Sequence, residues 1–222
     1  MKRIFKYSII SALLSPISSF AFDGFGEYGA AIKFGSTGYG FELTTDITKE
    51  INLRGGINAW SKKISDTKDG IEYDIEADLN NASLLADWHP FSNGFRLSAG
   101  IFINNSEISL DSSDATTYTI NGVEYTAAEA GSISGKIDFN TVAPYLGIGW
   151  GNALNKKSDI NISADLGIGF IGSPKVDISA NGSLANDSDF MSDLDAEEDS
   201  IQDDVDDLNI FPVLTIGVSY KF

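Results

Sequence analysis

The last nine residues of the chain, 214–222, read LTIGVSYKF and alternate between apolar residues and polar or small ones. Successive side chains of a β-strand point to opposite faces, so this alternation predicts a strand with one apolar face. Four residues form that face up to the final position: Ile216, Val218, Tyr220 and Phe222. The stretch therefore predicts a terminal strand that presents an apolar surface as far as its last residue.

The same period of two recurs along most of the chain. We count eight alternating segments, at about 25–34, 38–47, 51–62, 71–88, 95–110, 136–150, 160–171 and 209–222. No convincing helical pattern separates these segments, which excludes a parallel α/β sheet and favours antiparallel up-and-down strands. The fourth segment changes phase near Asn80 and Asn81, which predicts a β-bulge there.

The connections between the segments alternate in length. Short ones fall at 46–50, 88–94 and 152–159, and the intervening ones fall at 35–37, 61–70, 111–135 and 172–208. Three of the latter four are long. Short turns at one end and long loops at the other are typical of outer-membrane barrels, whose short turns are periplasmic.

The N-terminus has the features of an export signal. Residues 1–21 contain a basic start, an apolar run broken by Ser11, Ser15 and Pro16, and a small-residue end. The run is shorter than the about 20 residues of a spanning helix, so the pattern predicts a cleaved signal peptide over 1–21 and a barrel over 22–222. The chain has no cysteine, which leaves export possible and excludes a disulfide framework.

The composition narrows the chemistry further. The formal net charge is −17 and the isoelectric point is about 4.2, which argues against nucleic acid as a partner. One histidine and no cysteine predict neither a cofactor nor a metal site. His89 precedes Ser92 by three residues in a turn-like segment, so a Ser/His lipid hydrolase is the third-ranked interpretation, and we predict no enzyme.

The terminal strand resembles the one by which Gram-negative outer-membrane barrels are recognised for insertion. Over nearly all of its predicted mature length, the chain resembles small eight-stranded proteins of the OmpA, OmpW and opacity-like kind. The segments 87–91 (DWHPF) and 144–151 (PYLGIGWG) are similar to those of a poorly characterised barrel family. The resemblance implies an all-β, eight-stranded antiparallel transmembrane barrel in the outer membrane, in contact with lipid and lipopolysaccharide and inserted by the barrel assembly machinery.

The inward faces of the predicted strands carry charges, among them Lys33, Glu72 and Asp74. We predict that a lumen charge network forms from six of these residues: Glu42, Arg54, Glu76, Asp78, Arg96 and Asp165. An eight-stranded barrel is only wide enough for its own side chains, so these residues are expected to plug it. Four inward glycines are predicted to leave a void that Trp60 or Phe102 fills or a small solute enters: Gly147, Gly149, Gly167 and Gly169.

The last outer loop, about 173–208, holds twelve acidic residues against Lys175 alone. Apolar residues at near-helical spacing predict a short amphipathic helix within it. Its carboxylates are a solvated surface or, alternatively, a weak and diffuse site for divalent cations beside lipopolysaccharide. The whole sequence predicts a non-enzymatic structural or surface-exposed barrel with a largely plugged lumen, and the alternative is a narrow channel for a small solute or apolar compound.

Overall fold

Antiparallel strands occupy most of residues 26–68, 71–113 and 116–222, the part of the chain that the computed structural model describes. The predicted signal peptide lies outside these residues. The elements are β1 (Tyr28–Gly35), β2 (Gly38–Asp46), β3 (Ile51–Lys68), β4 (Ile71–Trp88), β5 (Phe95–Asn104), β6 (Glu107–Ser113), β7 (Thr117–Ile120), β8 (Val123–Thr126), α1 (Ala127–Ala130), β9 (Ile133–Asp138), β10 (Val142–Trp150), β11 (Ile160–Phe170), β12 (Lys175–Ala180), α2 (Ser188–Val205) and β13 (Ile210–Lys221).

Eight of these strands close into a barrel. They pair in the order β1, β2, β3, β4, β5, β10, β11 and β13, and β13 returns to β1. In the closing pair Ile32 lies opposite Val218, and Lys33 lies opposite Gly217. The predicted eight-stranded antiparallel barrel is confirmed. Within the described residues, no helix is long and apolar enough to cross a membrane.

The barrel is apolar on its outside and polar on its inside. Outward residues such as Ile32 and Ile162 are 72% and 75% exposed, whereas inward residues of the same strands are buried. Exposed aromatic side chains stand near the strand ends, where they can form the girdles typical of membrane interfaces: Tyr39, Trp88, Trp150, Tyr220 and Phe222. Only a closed barrel satisfies every strand hydrogen bond in lipid, so this outside surface is suited to the membrane.

The predicted bulge in β4 is wrong. The register of β4 against β3 runs without a shift from Ile51 opposite Trp88 to Lys68 opposite Ile71. What changes is the other partner, because 81–88 pair with β5 and 72–78 pair with β6. The apolar pattern changes phase because the environment changes. Within the barrel the apolar side chains of β4 point outward to lipid, whereas beyond the barrel they point inward.

Two predicted strands are each broken into two. The segment 95–110 becomes β5 and β6, and the segment 136–150 becomes β9 and β10. The two breaks lie side by side, since Asn104 N–H donates to the Thr141 carbonyl (2.6 Å). The next residue, Asn105, is held to β4, because its N–H donates to the Asn80 carbonyl (2.8 Å). Residues 61–68 of the predicted loop 61–70 instead belong to β3, which pairs with β4 over their whole length.

A second folded unit stands on the outer end of the barrel. We call it the outer cap, and it comprises the described residues of 61–78, 107–138 and 175–205. Its sheet runs β3–β4–β6–β9–β12, and the β7–β8 hairpin and α2 pack against it. The predicted helix in the last loop is α2, which begins after Asp187, whose side chain caps the N–H groups of Asp189 and Phe190.

Candidate functional site: the filled lumen and the outer cap

Six charged side chains meet inside the barrel, each from a different strand. They are Lys33 of β1, Glu42 of β2, Arg54 of β3, Asp87 of β4, Arg96 of β5 and Asp165 of β11, and all are buried. Strand alternation explains their convergence, since each occupies an inward position between two lipid-facing neighbours. We call this group the lumen network.

Arg54 is the centre of the lumen network. Its Nε lies 2.5 Å from Asp87 Oδ2, and its Nη1 lies 3.2 Å from Glu42 Oε2. Asp165 joins the other two cations, because its Oδ2 lies 2.8 Å from Lys33 Nζ and its Oδ1 lies 2.7 Å from Arg96 Nη2. Every member therefore has a partner of opposite charge.

Hydroxyl groups complete the lumen network. Ser98 donates to Asp87 Oδ1 (2.6 Å), and Thr215 donates to Asp165 Oδ2 (3.2 Å). The three cations balance the three carboxylates, so the buried group is formally neutral. Burying ions is costly unless they are paired and hydrogen-bonded, and removing one partner of such a group costs about 3–5 kcal/mol.

An apolar layer spans the lumen next to the network. Leu85, Tyr145 and Val213 are buried together, with Phe102 and Phe211 packed against them. The rings of Phe102 and Tyr145 meet edge to face, with centroids 5.2 Å apart. On the outer side of this layer is a cavity of about 150 Å³, which we call the lumen cavity, and its wall includes Asn81 and Asn104.

The four inward glycines lie where the sequence places them, but side chains occupy most of the predicted void. A Cβ at Gly147 or Gly167 would collide with the Tyr145 hydroxyl. A Cβ at Gly149 would meet Arg96 and Asp165 at 2.8 Å. Gly169 alone of the four lines the lumen cavity. Tyr145, rather than Trp60, fills the space, with Phe102 beside it.

The structure brings together four of the six predicted network residues: Glu42, Arg54, Arg96 and Asp165. Placing Glu76 and Asp78 in the lumen is wrong, since they lie on the outer half of β4, opposite Lys63 and Ser61. Without a bulge, the odd-numbered residues of β4 face inward, so Asp87 takes the acidic position. An unbroken alternation through Leu85 and Asp87 is the sequence signal that identifies this missed residue.

His89 belongs to the polar mouth at the end of the barrel that carries the short turns. Its Nε2 lies 3.3 Å from Asn52 Nδ2, and its Nδ1 lies 3.3 and 3.2 Å from the carbonyls of Asn93 and Phe95. Ser92 contacts it through the backbone, its N–H donating to the His89 carbonyl (3.2 Å). Both ring nitrogens are thus engaged with amide groups, which is the pattern of a structural turn residue.

The acids of α2 hold the outer cap together. On one side, Asn121 N–H at the tip of the β7–β8 hairpin donates to Glu197 (2.8 Å), and the Tyr125 hydroxyl donates to Asp193 (2.5 Å). That hydrogen bond lowers the pKa of Asp193 and raises the pKa of Tyr125 to about 12. The hairpin is thereby fastened to the helix.

On its other side, α2 covers an open sheet edge. The N–H groups of Val176 and Ile178 in β12 donate to Gln202 (2.9 Å) and Glu198 (2.8 Å), one helical turn apart. Unpaired strand edges promote association, and a covering helix is one way in which proteins protect them.

The described residues contain no group of three or more acidic or histidine side chains placed to hold a metal ion.

The terminal strand presents its apolar face to the membrane. Ile216, Val218, Tyr220 and Phe222 are each more than half exposed on the outside of the barrel. The Phe222 N–H donates to the Tyr28 carbonyl (3.1 Å), so the last residue takes part in closing the barrel.

A closed eight-stranded antiparallel barrel with an apolar outside and a polar inside defines an outer-membrane β-barrel protein. No protein-family model and no curated protein matches the sequence. The chain is similar to the crystal structure of CarO2 from Acinetobacter baumannii, with a TM-score of 0.57 and 26% identity over 89% of this chain and 99% of that one. It is also similar to CarO of the same organism, with a TM-score of 0.55 and 26% identity over 87% and 97% of the two chains.

A third similar structure is a major outer membrane protein of Thermus thermophilus. Its TM-score is 0.39 and its identity 13%, over 88% of this chain and 98% of that one. The two CarO structures, together with the closed barrel, confirm the predicted resemblance to small outer-membrane barrels and the predicted location in the outer membrane.

Proposed function

We propose that this protein is a structural, surface-exposed barrel that displays the outer cap outside the cell and does not conduct solutes. The observation that carries this proposal is the filling of the lumen by a neutral, fully paired charge network with an apolar layer beside it. A conducting pore needs a continuous polar path, and here the buried Arg54 and Tyr145 stand across it.

The geometry also supports a non-enzymatic role. His89 makes its ring contacts with Asn52 and two backbone carbonyls, so among the described residues neither ring nitrogen is hydrogen-bonded to a hydroxyl group, as hydrolysis of a lipid would require. The partners we propose are lipid and lipopolysaccharide around the belt, and the assembly machinery that reads the terminal strand. Divalent cations bridging lipopolysaccharide to exposed α2 carboxylates are a weaker proposed contact.

A narrow channel is the second candidate function. The lumen cavity on the outer side and a mouth of about 640 Å³ on the periplasmic side support it, since only side chains separate them. A movement of Tyr145 into the lumen cavity would shorten that barrier. This function requires the lumen network to rearrange and leave a path for the solute. Its three cations and three carboxylates would have to stay paired during that rearrangement.

Conductance separates the two functions. Heat-modifiable, folded protein would be placed in planar bilayers and in liposomes loaded for swelling assays with glycine, arginine and glucose. We expect currents and swelling equal to those of protein-free membranes, with a general porin in the same lipid as the positive control. Reproducible conductance steps from the wild-type chain would overturn the proposal in favour of the channel.

A further inference from the structure

The outer cap contains a second cavity, larger than the one in the lumen. It measures about 420 Å³ and lies between the cap sheet and α2. Aliphatic side chains line both sides, with Ile108, Ile137 and Ile178 on the sheet and Leu194 and Ile201 on the helix. We call it the cap cavity. Its volume falls within the about 300–1,000 Å³ typical of small-molecule sites.

A glycine keeps this cavity open. Gly135 lies on β9 between Ile133 and Ile137, on the strand face that lines the cavity. A Cβ at this position would have no neighbour within 4 Å, and its backbone is not in the left-handed region that favours glycine. Glycine weakens a strand and gives it nothing to pack, and protein interiors normally leave few such voids. The backbone therefore does not require Gly135, whereas the empty volume depends on it.

We propose that the outer cap binds an uncharged, apolar small molecule in the cap cavity, with α2 as the cover. The aliphatic lining excludes polar ligands, because it offers few hydrogen-bond partners for them. The charges at its edge disfavour anions, since Glu197 is acidic and Lys136 is already paired with Glu107 (3.0 Å) and Asp138 (3.1 Å). The helix itself carries eight acids and no base.

The cover is held at both ends of the site. Phe190 and Leu194 are buried and anchor the first half of α2, while Glu198 and Gln202 fasten its second half to β12. Ile108 lines both the cap cavity and the lumen cavity, so the two are neighbours. The apolar layer and the lumen network lie beyond, so the ligand is held at the surface. This inference goes beyond the proposed function and does not depend on conductance.

Two fluorescent probes test the inference on the full chain in lipid nanodiscs. The neutral N-phenyl-1-naphthylamine should give a saturable signal above that of empty nanodiscs. The anionic relative 8-anilinonaphthalene-1-sulfonate should bind at least about tenfold more weakly, a difference equivalent to about 1.4 kcal/mol. Absence of a saturable neutral signal, or equal binding of both probes, would overturn the proposal.

A matched pair of glycine variants locates the site. Gly135→Leu places its Cβ in open space and its side chain inside the cap cavity, and should lower neutral-probe affinity by about tenfold or more. Gly55→Leu adds the same side chain at a strand glycine that likewise has no neighbour within 4 Å of a Cβ, on the lipid-facing side opposite Leu43 and Leu84, and should bind as wild type. Gly135→Val replaces the first variant if leucine prevents insertion. Unchanged binding in the Gly135 variant, or equal loss in both, would contradict the inference.

Discussion

The barrel lumen and the outer cap are built from strands with the same alternation, but they bury different kinds of side chain. The lumen network buries ions, and its Arg54 and Asp165 each contact several partners. In the cap the buried groups are apolar, and Phe190 and Leu194 pack with Tyr118 and Ile120. The medium outside each region explains the difference: lipid accepts the apolar faces of the barrel strands, whereas water around the cap drives apolar faces inward.

The long strands β3 and β4 belong to both regions, because each runs from the barrel into the sheet of the outer cap. In β4, the even-numbered Leu84 and Trp88 face lipid, while beyond the barrel the odd-numbered Ile75 lines the cap cavity. The apolar side of the strand thus changes without a change of register. Which face of an alternating strand carries the apolar residues therefore depends on whether lipid or water lies outside that strand.

The largest expected effect concerns the membrane-facing surface of the barrel. Phe222→Gln should remove most of the folded, membrane-inserted protein, because it places a polar group on the apolar face of the terminal strand. Lys221→Gln, on the inward face, should leave the yield near wild type, since both variants keep their backbone hydrogen bonds. Fractionation and heat-modifiability on gels measure the yields. Similar yields for the two variants would remove the proposed role of Phe222 in insertion.

The next effect contrasts a buried ion pair with an exposed one. Arg54→Met leaves Asp87 and Glu42 short of their main partner and should lower the free energy of unfolding by about 3–5 kcal/mol. Lys63→Met breaks the cap pair with Asp74 (2.9 Å), in which Lys63 is 56% exposed, and should leave the unfolding midpoint near that of the wild type, because exposed ion pairs contribute little to stability. Urea unfolding in lipid vesicles, followed by tryptophan fluorescence, compares them. Equal midpoints would mean that the lumen network does not stabilise the barrel.

The smallest effect on the barrel is expected from the core of the cap. Phe190→Ala removes a buried ring that packs edge to face on Tyr125, and such losses cost about 3–5 kcal/mol locally. Because the barrel has its own hydrogen bonds, insertion and the barrel unfolding midpoint should stay unchanged while proteolysis within 187–207 accelerates. Leu208→Ala, at an exposed position just after α2, is the control and should cleave as wild type. A shifted barrel midpoint would show that the two regions unfold together.

Much of the fold follows from local pattern. The eight alternating segments, the short turns at one end of the barrel and the helix in the last loop are each set by residues close in sequence. The path of β4 is different, because at its change of partner from β5 to β6 it pairs with residues more than 20 positions away, Asn81 with Asn104 and Asp78 with Glu107. A reader of the sequence sees the change of phase at Asn80 and Asn81 but cannot tell a bulge from a new environment.

The same division holds for the candidate sites. Alternation alone determined that Glu42, Arg54, Arg96 and Asp165 face inward, because side-chain direction in a strand is a local property. Only the tertiary structure decided that Lys33 and Asp87 complete the lumen network, that Tyr145 occupies the space beside the lumen glycines, and that Gly135 leaves the cap cavity empty. These outcomes depend on distances between strands far apart in the chain, and those distances are set by barrel closure and by the docking of α2.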